Sequence, residues 1–76
     1  MTVRFVLINV RLGKRKHAYQ SLIKIPEIKE LHTITGEYNI IVRIDDDRIT
    51  FSHIIDDIRN IEGVTRIKFL GVVVDL

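Results

Sequence analysis

With 76 residues, 46% of them apolar, and no cysteine, the chain has room for one small domain and no disulfide or thiolate metal site to staple it. A formal charge of +2, from twelve basic residues interleaved with ten acidic ones, argues for solubility and against a surface devoted to nucleic acid. No apolar run approaches the roughly 18 residues of a membrane span. The opening Met1-Thr2-Val3-Arg4-Phe5 enters a strand-like pattern rather than a signal peptide, so the expected location is the cytoplasm. Three scattered histidines make no structural zinc cluster, which leaves association between copies as the common route to stability.

The first element, Val3 to Arg11, reads as a strand, with Val3, Phe5 and Leu7 on one face and Val6, Ile8 and Val10 on the other. Gly13 breaks it. Lys14 to Lys24 follows with Ala18, Leu22 and Ile23 at helical spacing, and Pro26 stops that helix because proline cannot continue the hydrogen-bond ladder. Ile28 to Thr35 is a second strand. Thr35-Gly36-Glu37-Tyr38 makes a tight connection in which Gly36 is free to take positive φ. Tyr38, Ile40, Val42 and Ile44 then alternate with Asn39, Ile41 and Arg43 in a third strand. Phe51, Ile54, Ile55, Ile58 and Ile61 form a helical stripe, with Gly63 just past it at the usual place for a C-cap. Val64 to Asp75 is the last strand, in which Gly71 marks a bulge or bend.

The order β-α-β-β-α-β carries an internal echo. Ile25-Pro26-Glu27-Ile28 ends the first helix much as Ile61-Glu62-Gly63-Val64 ends the second. Two similar βαβ halves joined by a tight turn describe an α+β, ferredoxin-like sandwich: a four-stranded antiparallel sheet with two helices on one face, formed by residues 1–76 as a single domain. The other face should then be polar in a monomer. Here the first strand is apolar on both faces, and Val72-Val73-Val74 has no polar alternation. A bare apolar sheet face exceeds what monomers tolerate, so a second copy is expected to cover it, sheet against sheet.

Candidate chemistry is sparse. Asp45-Asp46-Asp47 lacks the spaced ligands of a calcium loop, and the preferred reading is that one aspartate caps the second helix while the others favour its positive end. His53 and Asp57 lie four apart on the face opposite the isoleucine stripe, with nothing reactive near them. The cluster Lys14-Arg15-Lys16-His17 opposes the helix dipole at the start of the first helix; it suits an anion or an acidic partner, and the plainer reading is a solvated run. RNA-recognition domains share this topology and stack bases on aromatics of the first and third strands, but Phe5 and Tyr38 are the only aromatics on offer there. No phosphate loop, nucleophile elbow or metalloprotease motif is present, and neither enzymatic activity nor a cofactor is expected.

The stretch from Ile25 to Val42, IPEIKELHTITGEYNIIV, resembles the effector-binding domain of the leucine-responsive and asparagine regulator (Lrp/AsnC) family, the domain for regulation of amino-acid metabolism (RAM). Ile61-Glu62-Gly63-Val64-Thr65-Arg66 is similar to the family's junction between helix and last strand, and Val6-Leu7-Ile8-Asn9-Val10 before Gly13 is similar to its opening. The resemblance implies dimers paired through their sheets, assembly of dimers into larger rings, and a small effector, usually an amino acid, bound between dimers near the turn joining the second and third strands. Full-length members carry an N-terminal helix-turn-helix for DNA. This chain begins at the first strand, so the expectation is a stand-alone version without direct DNA binding, able to sense an effector or to co-assemble with a full-length Lrp/AsnC regulator.

Carried over by position, the effector site comprises Thr35, Gly36, Glu37, Tyr38 and Asn39 of the turn with Ile67 and Phe69 of the last strand. Backbone amides around Gly36 would hold a carboxylate and Tyr38 would line the pocket. Asn39 stands where the family usually has aspartate, and Ile67 and Phe69 where many relatives have threonines facing the ligand. Those changes make the pocket more apolar. The leading expectation is therefore a non-enzymatic sensing and assembly module. One rival is a purely structural partner of a full-length regulator. The other is a small dimeric αβ-barrel enzyme, for which Asn9, Arg11 and His32 are the only polar candidates facing the sheet interior.

Overall fold

Two interleaved apolar series run through the first strand, and the fold gives each its own face of a sheet. In the computed structural model, which describes residues 2–46 and 48–70, β1 (Thr2–Val10) is followed by α1 (Arg15–Leu22), β2 (Ile28–Thr33), β3 (Ile40–Asp46), α2 (Arg48–Arg59) and β4 (Val64–Leu70). The strands form one antiparallel sheet in the order β2-β3-β1-β4, the arrangement that the βαββαβ sequence pattern predicts.

Val6, Ile8 and Val10 of β1 and Ile40, Val42 and Ile44 of β3 make the core, none more than 4% exposed. Ala18 and Leu22 of α1 and Ile54, Ile55 and Ile58 of α2 complete it. Each fully buried aliphatic side chain contributes about 1.5–3 kcal/mol relative to exposure. The halves repeat at a spacing of 36 residues: Val6 and Val42, Ile8 and Ile44, Ala18 and Ile54, Leu22 and Ile58 are all core pairs. The echo between the helix ends is also physical. Ile25 N–H donates to Leu22 O (3.0 Å) and Ile28 N–H to Ile25 O (3.1 Å), while Ile61 N–H donates to Ile58 O (3.1 Å) and Val64 N–H to Ile61 O (3.2 Å). Only the second turn needs a left-handed residue. Gly63 has φ +99°, and a Cβ there would collide with Lys14 Cβ.

Two elements, α1 and β2, are shorter than the periodicity predicts, and β3 is shifted toward the C-terminus. α1 ends at Leu22 rather than Lys24, because Pro26 disfavours helical geometry at Ile25, whose N–H closes a tight turn instead. β2 ends at Thr33 and β3 starts at Ile40, since Ile34 N–H donates to Asn39 O (2.8 Å) and pinches off a loop between them. β4 is described to Leu70, so the expected bulge at Gly71 and the Val72-Val73-Val74 run lie outside the described residues.

Three charged features also find their places. Asp45 belongs to β3 and accepts hydrogen bonds from Arg43 Nε (2.9 Å) and Nη2 (3.1 Å), so it is not a helix cap. The side chains of Asp46 and Asp47, the other capping candidates, lie outside the described ones. The basic start of α1 meets an acid: Lys14 Nζ pairs with Glu62 at 2.6 Å. The Lys14 hydrogen bond, with the nearby charges of Lys14, His17 and Arg11, holds the Glu62 carboxyl below its ordinary value. His53 and Asp57 are exposed, and no metal-binding group of three side chains occurs among the described residues.

Candidate functional site

Asn39 anchors the turn between β2 and β3 to the middle of the sheet. Its N–H donates to Ile8 O (3.1 Å), its carbonyl accepts from Ile34, and its Oδ1 accepts from Val10 N–H (2.7 Å). The side chain thus satisfies a β1 amide just beyond the last paired residue of β3, where the main chain turns away. An amide serves this purpose as well as a carboxylate, which gives Asn39 a structural use for its oxygen. Ahead of it Gly36 takes φ +115°, in the left-handed region that favours glycine. Thr35, Gly36 and Glu37 are exposed, and Tyr38 and Asn39 are half-buried.

The turn is tied to β4 by Arg66, which the sequence marks only as the last residue of the Ile61–Arg66 junction and not as part of the site. Its guanidinium donates from Nη1 (3.2 Å) and Nη2 (3.4 Å) to Glu37 Oε1 and lies 5.7 Å from the centre of the Tyr38 ring. Arg66 pairs with Asn9 in the β1–β4 register, and Thr65 Oγ1 donates to Asn9 O (3.1 Å), which fixes this end of β4 against β1. Its sequence signals are a basic residue two places after Val64 and its place in the junction that resembles the family's. Its reach to the turn depends on the strand order, which sets β4 beside β1 instead of beside its sequence neighbours.

The structure therefore brings Thr35 to Asn39 together in one loop and adds Arg66. Ile67 lies next to that cluster. With Arg59, Val64, Thr65 and Arg66 it lines a shallow cavity of about 280 Å³ beside β4, and it also packs against the core. Phe69 stands apart. Its ring centre is 5.8 Å from that of Phe51 on α2, whose ring in turn carries the Arg4 guanidinium at 4.3 Å. Asn9, Arg11 and His32 are not gathered into a site: Asn9 faces Arg66 across the strands, Arg11 is exposed, and His32 Nε2 lies 3.2 Å from Glu30 Oε1.

The sheet face away from the helices divides into zones. Val3, Phe5 and Leu7 of β1 and Ile41 of β3 are half-buried, and Leu70, which pairs with Phe5, is 37% exposed. Toward β2 a charged group borders this apolar strip. Arg43 Nη1 donates to Glu30 Oε2 (2.9 Å) in addition to its two bonds with Asp45. The Arg43 hydrogen bond, then that of His32, holds the Glu30 carboxyl below its ordinary value. Toward β4 the border is basic, with Lys68 opposite Leu7 and Arg66 opposite Asn9.

Comparison with known proteins gives this geometry its family. The Lrp/AsnC ligand binding domain model matches residues 3–73. The chain belongs to that family. It is 36% identical over 61 residues to the HTH-type transcriptional regulator FL11 of Pyrococcus furiosus, a match that covers 79% of this chain and 40% of that regulator. The chain thus spans about two fifths of the length of the curated relatives it matches. Among solved structures, TTHA0845 from Thermus thermophilus superposes with a TM-score of 0.89 at 23% identity, over 100% of this chain and 98% of that one. The transcriptional regulator NMB0573 of Neisseria meningitidis, solved in complex with L-methionine, superposes with a TM-score of 0.84 at 24% identity, over 97% of this chain and 51% of that one. At those identities the likeness shows the fold. Among the described residues no helix is long and apolar enough to cross a membrane.

Proposed function

We propose that the chain is a non-enzymatic effector-binding and assembly module of a transcription regulator, which takes an amino-acid-like effector at the turn between β2 and β3 and pairs through its open sheet face. The observation that carries this reading is the cluster of Glu37, Tyr38 and Arg66 around a turn pinned by Asn39. It offers exposed backbone amides for a carboxylate, an aromatic wall and a cation. Family membership and the methionine complex of the Neisseria regulator support an amino acid as the effector class. The apolar strip of Phe5, Leu7, Ile41 and Leu70 supports pairing with a second copy, as an apolar face of this kind is best covered. Regulators that carry a DNA-binding domain are the partners this reading favours, and the module itself needs no contact with DNA.

One observation favours a second reading, in which the chain assembles with a regulator and binds nothing small. Ile67 is used by the core and Phe69 by Phe51, so neither residue adds a polar group for a ligand. Thermal melting against the twenty amino acids separates the two. Ligand at about 100 times its dissociation constant adds roughly 2.7 kcal/mol per site, so an effector raises the melting temperature visibly. A rise with one or two amino acids, abolished by Tyr38→Ala, is the expected result. A flat panel from folded protein rejects amino-acid sensing and leaves assembly alone.

A further inference from the structure

Arg43 and Arg66 both project from the sheet's open side, yet their charges are met differently. Arg43 makes three hydrogen bonds, at 2.9, 2.9 and 3.1 Å, to the carboxylates of Asp45 and Glu30. Arg66 spends both terminal nitrogens on a single oxygen of Glu37, at 3.2 and 3.4 Å, and the two side chains are 56% and 70% exposed. Charge-assisted bonds are usually about 2.7–2.9 Å long, and an exposed pair of this sort is weak. Glu37 therefore positions Arg66 without consuming its capacity to bind an acid.

A second arginine lines a cavity to which Arg66 also contributes. Arg59, at the end of α2, lines the cavity of about 280 Å³ with Arg66, while Val64, Thr65 and Ile67 complete the lining. No carboxylate is part of that lining, and among the described residues Arg59 forms no ion pair. The Thr65 hydroxyl is already committed to Asn9 O. Two arginines in the lining of a cavity with an apolar wall suit an acid group attached to a short methylene chain. Arginine forks match carboxylate geometry, the chain finds Val64 and Ile67, and the Arg66 fork is free to turn from Glu37 toward the cavity. Ile67, which the sequence marks as merely making the pocket more apolar, thus borders a cationic subsite.

The geometry points to an acidic effector: a small dicarboxylate whose extra carboxylate sits between Arg59 and Arg66 and displaces Glu37. This assignment rests on the reading of the chain as an effector-binding module and specifies which effectors it takes. The test measures dissociation constants and melting temperatures with L-glutamate, 2-oxoglutarate, L-glutamine and L-leucine. Wild-type protein, Arg59→Gln, Arg66→Gln and Glu37→Gln are compared, and the arginine variants are used only if they melt like wild type without ligand. The expected result is that an acidic probe binds more tightly than both neutral ones. Each arginine variant loses about tenfold or more in affinity, as removal of a charged hydrogen bond does. Glu37→Gln binds the acidic probe at least as tightly as wild type, because a competitor for Arg66 is gone. Preference for glutamine or leucine, or acidic binding indifferent to both arginines, overturns the acidic subsite and leaves effector binding standing. No response to any probe or to any of the twenty amino acids overturns the effector-binding reading, and this assignment with it.

Discussion

The two faces of the sheet share strands and most of their residue types, yet they are organised on different terms. On the helix side, Val6, Ile8, Ile40, Val42 and Ile44 are all at most 1% exposed, and among the described residues no polar residue is fully buried with them. On the open side, Phe5, Leu7 and Ile41 keep partial contact with solvent and are bordered by Glu30, Arg43 and Asp45 on one flank and by Arg66 and Lys68 on the other. The first face is complete within one chain. The second has an apolar centre and a charged rim, the layout of a protein interface. The comparison separates what folds the chain from what the chain presents, and each of its terms is open to attack by substitution.

The largest effect should come from the closed face. Ile8→Ala removes three carbons from a fully buried site in the core, opposite Ile40 of β3, and it should cost about 2–5 kcal/mol, depending on how far the core collapses into the gap. Urea denaturation followed by circular dichroism reads this directly. The neighbouring residue gives the contrast: Leu7→Asp should leave the fold intact yet make sedimentation report a monomer. A Leu7→Asp protein that stays dimeric would place the interface elsewhere, and one that unfolds would make the open face part of the core. Next in size is Gly63→Ala. The left-handed conformation costs about 1 kcal/mol for a residue with a Cβ, and the collision with Lys14 Cβ adds to it. Glu27→Ala, at the matching point of the first half where no left-handed residue is needed, should be close to neutral. Asn39→Ala then strands the Val10 N–H and should cost about 1–3 kcal/mol, whereas Asn39→Asp preserves the acceptor and should cost less.

The closed face is the more legible of the two from sequence. Alternation of Val6, Ile8 and Val10 with Phe5 and Leu7 dictates a strand, and the isoleucine stripe of α2 dictates what covers it, because burial is written into periodicity. The repeated helix ends place the two halves, and the glycine in the second betrays its conformation. Resemblance locates the loop residues Thr35 to Asn39, but the role of Asn39 is not legible. A side-chain oxygen that replaces a ladder partner leaves no periodic trace. Arg66 escapes notice as part of the site for a related reason. Its partners Glu37 and Tyr38 are nearly thirty positions away in the chain, and only the placement of β4 beside β1 lets it reach them. The aspartate run misleads through composition: Asp45 looks like a cap in a string of residues, whereas the pleat of β3 sets it two positions from Arg43 on the same face.

The smallest effect, and the one that best sharpens the comparison, is a difference in pH response between two glutamates. Glu30 borders the open face, Glu62 lies in the turn between α2 and β4, and both carboxyls are held below their ordinary value of 4.5 by a basic partner, Arg43 and Lys14 respectively. A carboxyl whose value is depressed by folding binds fewer protons in the folded state than in the unfolded one. Its stabilisation is therefore present above pH 4.5 and is lost as pH falls through the lower folded value. Both pairs are exposed in the single chain, so each should give only a shallow fall in melting temperature on acidification. If a second copy covers the open face, water leaves Glu30 and Arg43 but not Glu62 and Lys14, and the two responses part. Melting curves between pH 6 and about pH 3, at two protein concentrations a hundredfold apart, distinguish them. Glu62→Gln should flatten the acid limb equally at both concentrations, while Glu30→Gln should flatten it more at the higher one, where the dimer dominates. Equal behaviour of the two variants would mean that the rim around Glu30 stays in water, and that any interface is confined to Phe5, Leu7, Ile41 and Leu70.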